Sequence, residues 1–145
     1  MNVSGLCLED LSVGTARERT QRLGAEEIEA FAALTGDRNP VHLDAAYAEG
    51  TRFKGRIAHG MLTASLISAV LGMDLPGPGA IYLSQTLAFK RPVRLGDEVT
   101  ARVSVTAIDH ETGRVRLATQ CLVAGKVVVD GEAEVMAPRR GSGAG

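Results

Sequence analysis

The chain has 145 residues, 45% hydrophobic and 23% charged, with a formal net charge of -1. That length supports one compact domain with its own core, and the charge balance offers no footprint for nucleic acid or a membrane surface. Aromatic residues make up 3% and tryptophan is absent, so a base-stacking platform has little to be built from.

The first residues, "MNVSGLCLEDL", have no basic segment followed by an apolar run, so no secretory signal is expected. "GTARERTQRL" (14–23) is a candidate exposed strand. "AEEIEAFAALTG" predicts a helix over 25–35. Acidic residues occupy its first turn, Ile28, Phe31 and Ala32 share a face, and Gly36 stands where a C-terminal cap would. Next comes "TGDRNPVHLD" (35–44), where Asn39 precedes Pro40 and is pushed out of the helical region into a locally extended loop. "DAAYAEG" predicts one short helical turn ending at Gly50.

A second helix is expected from about residue 59 to 71. Met61, Leu62, Leu66, Ile67, Val70 and Leu71 go nearly all the way round it, the pattern of a helix buried on every side. The longest apolar stretch, "MLTASLISAVLGM", is shorter than the roughly 20 residues a bilayer-spanning helix needs. "LPGPGA" ends the helix with prolines and glycines.

The remainder predicts four strands by its period of two. In "IYLSQTLAFK", Ile81, Leu83, Leu87 and Phe89 share a face. In "VTARVSVTAI", Val99, Ala101, Val103, Val105 and Ala107 alternate with polar residues. Val115, Leu117, Thr119, Cys121 and Val123 alternate in the third strand, and Val127, Val129, Ala133 and Val135 in the fourth. "DHETG" and "VAGK" are hairpin turns. The fold class is α+β: an antiparallel sheet wrapped round one long central helix, in a single domain over 1–138 with a Gly- and Ser-rich disordered tail over 139–145. Cys7 and Cys121 make no disulfide framework, and Cys121 reads as a small core residue. A reducing cytoplasm is the expected location.

Asp37 and His42 stand five positions apart on a turn-rich segment. A turn can fold a carboxylate and an imidazole toward one water, which makes a general acid/base pair. The same residues also suit a plain turn with a partly buried histidine. Asp37, Asn39 and His42 offer oxygen and nitrogen to a metal, but the sequence spacing supplies no second cluster to complete a ligand set, so no metal is expected. His110 falls in a hairpin turn, in solvent.

"IAHGMLTASL" places the Gly60 amide in the first turn of the second helix. Amides there lack intrahelical acceptors, and the helix dipole favours negative charge beside them. Such a site suits an oxyanion, while His59-Gly60 as a bare helix-entry turn is the other reading. The basic cluster Lys90, Arg91 and Arg94 is either a solvated strand end or a phosphate contact for a cofactor-sized ligand. No nucleophile elbow or phosphate loop is present.

Three blocks, "FAALTGDRNPVHLD", "GRIAHGMLTASLISAVLG" and "PGPGAIYLSQTLAFKRPVRLGDEVTARVSV", together resemble the MaoC-like (R)-specific enoyl-CoA hydratases. The resemblance covers roughly residues 24–107 and includes an intact D-x-N-P-x-H followed by an H-G-M helix start. It implies a hot-dog fold, a homodimer with sites near the subunit interface, and reversible syn hydration of trans-2-enoyl-CoA to (R)-3-hydroxyacyl-CoA. Carried over by position, Asp37 and His42 are the catalytic pair. Asp37 is then the main base on water and His42 orients it and relays the proton, though the reverse division also fits. Gly60 offers its amide to the thioester oxygen beside His59, Ser68 supports the site by hydrogen bonding, and Asn39 holds the loop and the water. No cofactor is implied, since coenzyme A is part of the substrate. A hot-dog acyl-CoA thioesterase, a non-catalytic acyl-binding domain, and a hydratase of branched or dicarboxylic enoyl-CoA are the alternatives.

Overall fold

The computed structural model describes residues 4–141, so residues 142–145 of the expected tail lie outside the described residues. After a 3-10 turn at Leu8–Asp10 come β1 (Ala16–Arg22), α1 (Ala25–Thr35), α2 (Pro40–Leu43), α3 (Ala45–Glu49) and α4 (Gly60–Met73). β2 (Ile81–Gln85), β3 (Ala88–Phe89), β4 (Glu98–Ile108), β5 (Arg114–Val123) and β6 (Lys126–Met136) follow. The strands form one antiparallel sheet in the order β1-β4-β5-β6-β2, with β3 also paired to β6. α4 lies against β1, β4, β5 and β6. This is the α+β hot-dog arrangement: a sheet curled round a helix.

Local chemistry sets these boundaries. The Gly24 amide donates to the Glu27 carboxylate at 2.9 Å, which caps the start of α1. Gly36 ends it in the left-handed region at φ 85°, where a side chain would be strained. At the β5–β6 hairpin, Ala124 and Gly125 both take positive φ, as a two-residue turn matched to strand twist requires. Val99, Ala101, Val103 and Val105 of β4 and Val115, Leu117, Thr119 and Cys121 of β5 are all buried, and Leu62, Ile67, Val70 and Leu71 of α4 complete the same core. Each large aliphatic side chain buried there is worth about 1.5–3 kcal/mol against exposure.

Four expectations change. The segment "IYLSQTLAFK" is two strands, not one, so five strands follow α4. The chain breaks between them at Thr86, whose carbonyl lies 1.9 Å from where a Gly131 Cβ would stand, so β6 must carry glycine there. Second, the strict alternation fails at bulges. One between Val105 and Ala107 turns Ala107 outward, and one beside Cys121 and Leu122 buries Val128 next to Val129. Third, α4 is not buried on every side: Met61, Ser65, Ser68 and Gly72 form an exposed stripe at helical spacing. Beside it β2 is exposed, with Ile81, Tyr82 and Leu83 open to solvent. Fourth, the loop after α1 contains a helical turn of its own, α2.

Of the tail's first residues, the Arg139 guanidinium donates to the carbonyls of His110 (2.6 Å) and Glu111 (2.8 Å). The Arg140 amide donates to Glu9 at 2.9 Å and its side chain pairs with Asp10.

Candidate active site

The segment from Thr35 to His42 is held by a chain of short side-chain-to-backbone bonds. Thr35 Oγ1 donates to the Phe31 carbonyl (2.7 Å) and accepts from the Asp37 amide (3.1 Å). Asp37 Oδ1 accepts from the Asn39 amide at 3.2 Å, and Asn39 Oδ1 from the Val41 amide at 3.3 Å. Small polar residues make such bonds with their own backbone in place of a helix ladder. Asn39 is extended (φ -53°, ψ 124°), as a residue before proline must be, and its side chain caps α2. Pro40 opens that helix, where its missing N–H costs nothing. One helical turn then carries His42 inward to 8% exposure, while Asp37 stays in the exposed loop.

His42 Nδ1 lies 2.9 Å from the Ile57 carbonyl. A carbonyl only accepts, so Nδ1 carries the proton and the neutral ring has its lone pair on Nε2. The Arg56 guanidinium clamps the same turn by donating to the His42 carbonyl at 2.7 Å, and the Ile57 amide donates to Val41. Against His42 packs His59, 2% exposed, with ring centroids 3.9 Å apart and planes 30° apart. The Phe31 ring also packs against His59, tilted by 56° with centroids 4.8 Å apart. His59 Nε2 donates to the Asp37 carbonyl at 3.0 Å, and its Nδ1 is buried without a hydrogen-bond partner among the described residues. Burial, with His42 adding to it, holds the His59 pKa below the ordinary imidazole value against the pull of Asp37. Burial therefore favours the neutral form of His59.

Donor atoms of Asp37, His42 and His59 lie within 4.8 Å of one another. Sequence spacing had offered no second cluster beyond Asp37, Asn39 and His42; the fold adds His59, from the start of α4. Each histidine commits one ring nitrogen to a main-chain carbonyl, which leaves it a single nitrogen for any other partner.

The three residues line a cleft of about 530 Å³ whose walls also include Gly60, Met61, Phe89, Arg52, Lys90 and Arg91. Gly60 is the first residue of α4 after the N-cap His59, so its amide has no intrahelical acceptor and sits at the positive end of the helix. A Cβ at Gly60 would stand 2.8 Å from the Phe89 ring. The close approach that needs glycine here is thus made by Phe89 of β3.

The structure brings together Asp37, His42, His59, Gly60, Lys90 and Arg91, and leaves three predicted residues elsewhere. Asn39 caps α2 rather than lining the cleft. Arg94 donates from its amide to Asp97 (2.8 Å) and from its guanidinium to the Phe53 carbonyl (2.5 Å), and it lies outside the cleft walls. Ser68, on the exposed stripe of α4, lines a second cavity of about 530 Å³ between α4 and β2 with Phe31, Ser65, Tyr82 and Leu83. It does not reach the Asp37–His42 pair within one chain; Met61 lines both cavities. Arg52, Arg56 and Phe89 carried no sequence signal, since their roles come from folding distant segments over the cleft.

Known proteins share this chain's sequence and shape. A family model described as "MaoC like domain" matches residues 10–127. An (R)-specific enoyl-CoA hydratase from Rhodospirillum rubrum is 53% identical over 133 residues, covering 92% of each chain. A 3-hydroxybutyryl-CoA dehydratase from Methylorubrum extorquens is 50% identical over 135 residues, covering 93% of this chain and 86% of the relative. Among solved structures, an R-hydratase from Pseudomonas aeruginosa in its unliganded form superposes with a TM-score of 0.91 at 51% identity, over 96% of this chain and 90% of its own. This chain belongs to the MaoC-like domain family.

Proposed function

We propose that this chain is an (R)-specific enoyl-CoA hydratase, adding water syn across the double bond of a trans-2-enoyl-CoA to give the (R)-3-hydroxyacyl-CoA, reversibly. The observation that carries this reading is the meeting of an exposed carboxylate, Asp37, with His42, its lone pair left on Nε2, in a cleft walled by the first amide of α4. The names of its relatives in Rhodospirillum rubrum and Methylorubrum extorquens support the same chemistry.

The residue types suit the steps. Water is a weak nucleophile, so a base must take its proton as the oxygen bonds to the β-carbon. Asp37 serves as that base, and His42 orients the water. Charge then moves through the enoyl system onto the thioester oxygen, where the Gly60 amide and the positive end of α4 stabilise it. The proton taken from water is delivered to the α-carbon on the same face, relayed by His42, and the pair ends as it began. Asp37 and His42 act as one coupled unit. Lys90, Arg91 and Arg52 at the cleft rim suit the phosphates of coenzyme A. No cofactor enters this scheme beyond the coenzyme A of the substrate.

The working unit is a homodimer. Among the described residues β2 is paired on one edge only, and Ile81, Tyr82 and Leu83 stand exposed beside the open stripe of α4. An unpaired edge with apolar residues is a template for another strand, and a second copy across it continues the sheet and covers α4. We place the protein in the cytoplasm: both cysteines are free, and no helix among the described residues is long and apolar enough to cross a membrane.

The deciding experiment is incubation with crotonyl-CoA and longer enoyl-CoAs, with chiral analysis of product and titration of released thiol. An (R)-3-hydroxyacyl-CoA with no free thiol is expected. Free coenzyme A released without hydration would favour the thioesterase reading instead.

A further inference from the structure

We infer that His59 is a positioning residue for this reaction, holding Asp37 through its main chain and His42 through ring contact. The inference rests on the hydratase reading above and deepens it. His59 is almost wholly buried, yet its side chain makes a single hydrogen bond among the described residues, from Nε2 to the Asp37 carbonyl at 3.0 Å. That bond crosses 22 residues and ties the exposed Asp37 loop to the start of α4, beside Gly60. Its ring face lies on His42 at 3.9 Å, and the Phe31 ring packs against it at 4.8 Å. One side chain thus sets the distance between the carboxylate, the imidazole and the first-turn amide.

The unpartnered Nδ1 argues that packing alone did not select this residue. A buried polar atom without a partner carries a cost that a phenyl ring at the same place avoids. What histidine offers beyond phenylalanine is the Nε2–H donor aimed at the Asp37 carbonyl. Burial also favours its uncharged form beside His42. A lysine or arginine donor would bring a fixed charge against His42.

The test compares His59→Gln, His59→Phe and His59→Ala. Glutamine places an amide donor near the Nε2 position without a ring; phenylalanine keeps the ring and loses the donor. A misplacement of about 1 Å in a catalytic group can cost on the order of 100-fold in rate. For crotonyl-CoA hydration we expect kcat to fall about 100-fold in His59→Ala and His59→Phe, with KM within about threefold, and His59→Gln to recover about tenfold. Amide exchange at Asn39, whose N–H is bound to the Asp37 carboxylate, is expected to quicken in the Ala and Phe variants and remain slow in Gln. That readout needs no activity: wild-type chain that hydrates no enoyl-CoA would sink the hydratase reading while exchange still reports on Asp37. A folded Ala or Phe variant with kcat within threefold of wild type overturns the inference. So does a Gln variant no better than Ala, or one that fails to fold.

Discussion

His42 donates from Nδ1 to the main-chain carbonyl of Ile57, 2.9 Å away and 15 residues further along the chain. This one bond selects the tautomer and leaves Nε2 as the acceptor beside Asp37. It also explains why α2 exists: without its single turn, His42 would not reach the strand-like segment at Ile57 that bridges to Arg94.

The first prediction follows from that pair. Asp37→Asn removes the carboxylate proposed as the base without removing the Oδ1 acceptor that holds the Asn39 amide, so the loop persists. Crotonyl-CoA hydration should fall by about 100- to 10,000-fold, the usual share of general acid–base catalysis. His42→Ala should lose a similar factor. Steady-state kinetics beside a thermal melt checks both, and near-wild-type turnover in either variant would remove that residue from the mechanism.

Gly60→Ala forces its new methyl group against the Phe89 ring. Gly60 is in a helix, so its backbone accepts alanine; the conflict is one of packing. Overpacking of this kind costs about 1–3 kcal/mol. Adding Phe89→Ala should restore the melting temperature, because that ring is what the new methyl group meets first. A double variant as unstable as Gly60→Ala would show that the strain lies elsewhere.

Leu83→Lys places a charge on the open edge of β2. Charged side chains on an edge are the ordinary way to block strand pairing. Sedimentation velocity should show the homodimer shifted to monomer, with far-UV circular dichroism unchanged. Dimer that persists in Leu83→Lys would place the interface on another face.

His59 also makes stability depend on pH. Its folded-state pKa lies below the ordinary imidazole value, chiefly through burial. Well above that value the ring is neutral in both states and adds no pH dependence. As pH falls through about 6.5, the unfolded chain binds a proton that the folded chain resists, so stability is lost toward acid. Urea unfolding at pH 7.5 and pH 5.5 should show a larger loss for wild type than for His59→Gln. Equal losses would assign the acid sensitivity to other groups.

Much of this was legible in the chain. Period-two patterns located β4, β5 and β6, because a strand with one buried face must alternate. Gly36 ended α1 and Gly125 turned the last hairpin, since only certain residues accept positive φ. "DRNPVH" marked a turn, and its resemblance to a family motif pointed at Asp37 and His42.

Tertiary structure decided the rest. The exposed stripe of α4 and the open β2 read as buried in sequence, because apolar composition cannot tell a core from a face awaiting a partner. Bulges beside Val105 and Cys121 shifted side chains between faces, and a one-residue insertion has no local composition of its own. Ser68 lines the neighbouring cavity and Arg94 lies outside the cleft walls, while Arg52 and Phe89 line the cleft and Arg56 holds the turn that carries His42. His59 was visible as a helix entry, but its bond to Asp37 spans 22 residues and its stacking on His42 joins two separate helices. Local preference reaches only a few residues along the chain; those contacts exist because the sheet closed round α4 and brought both helix starts to one cleft.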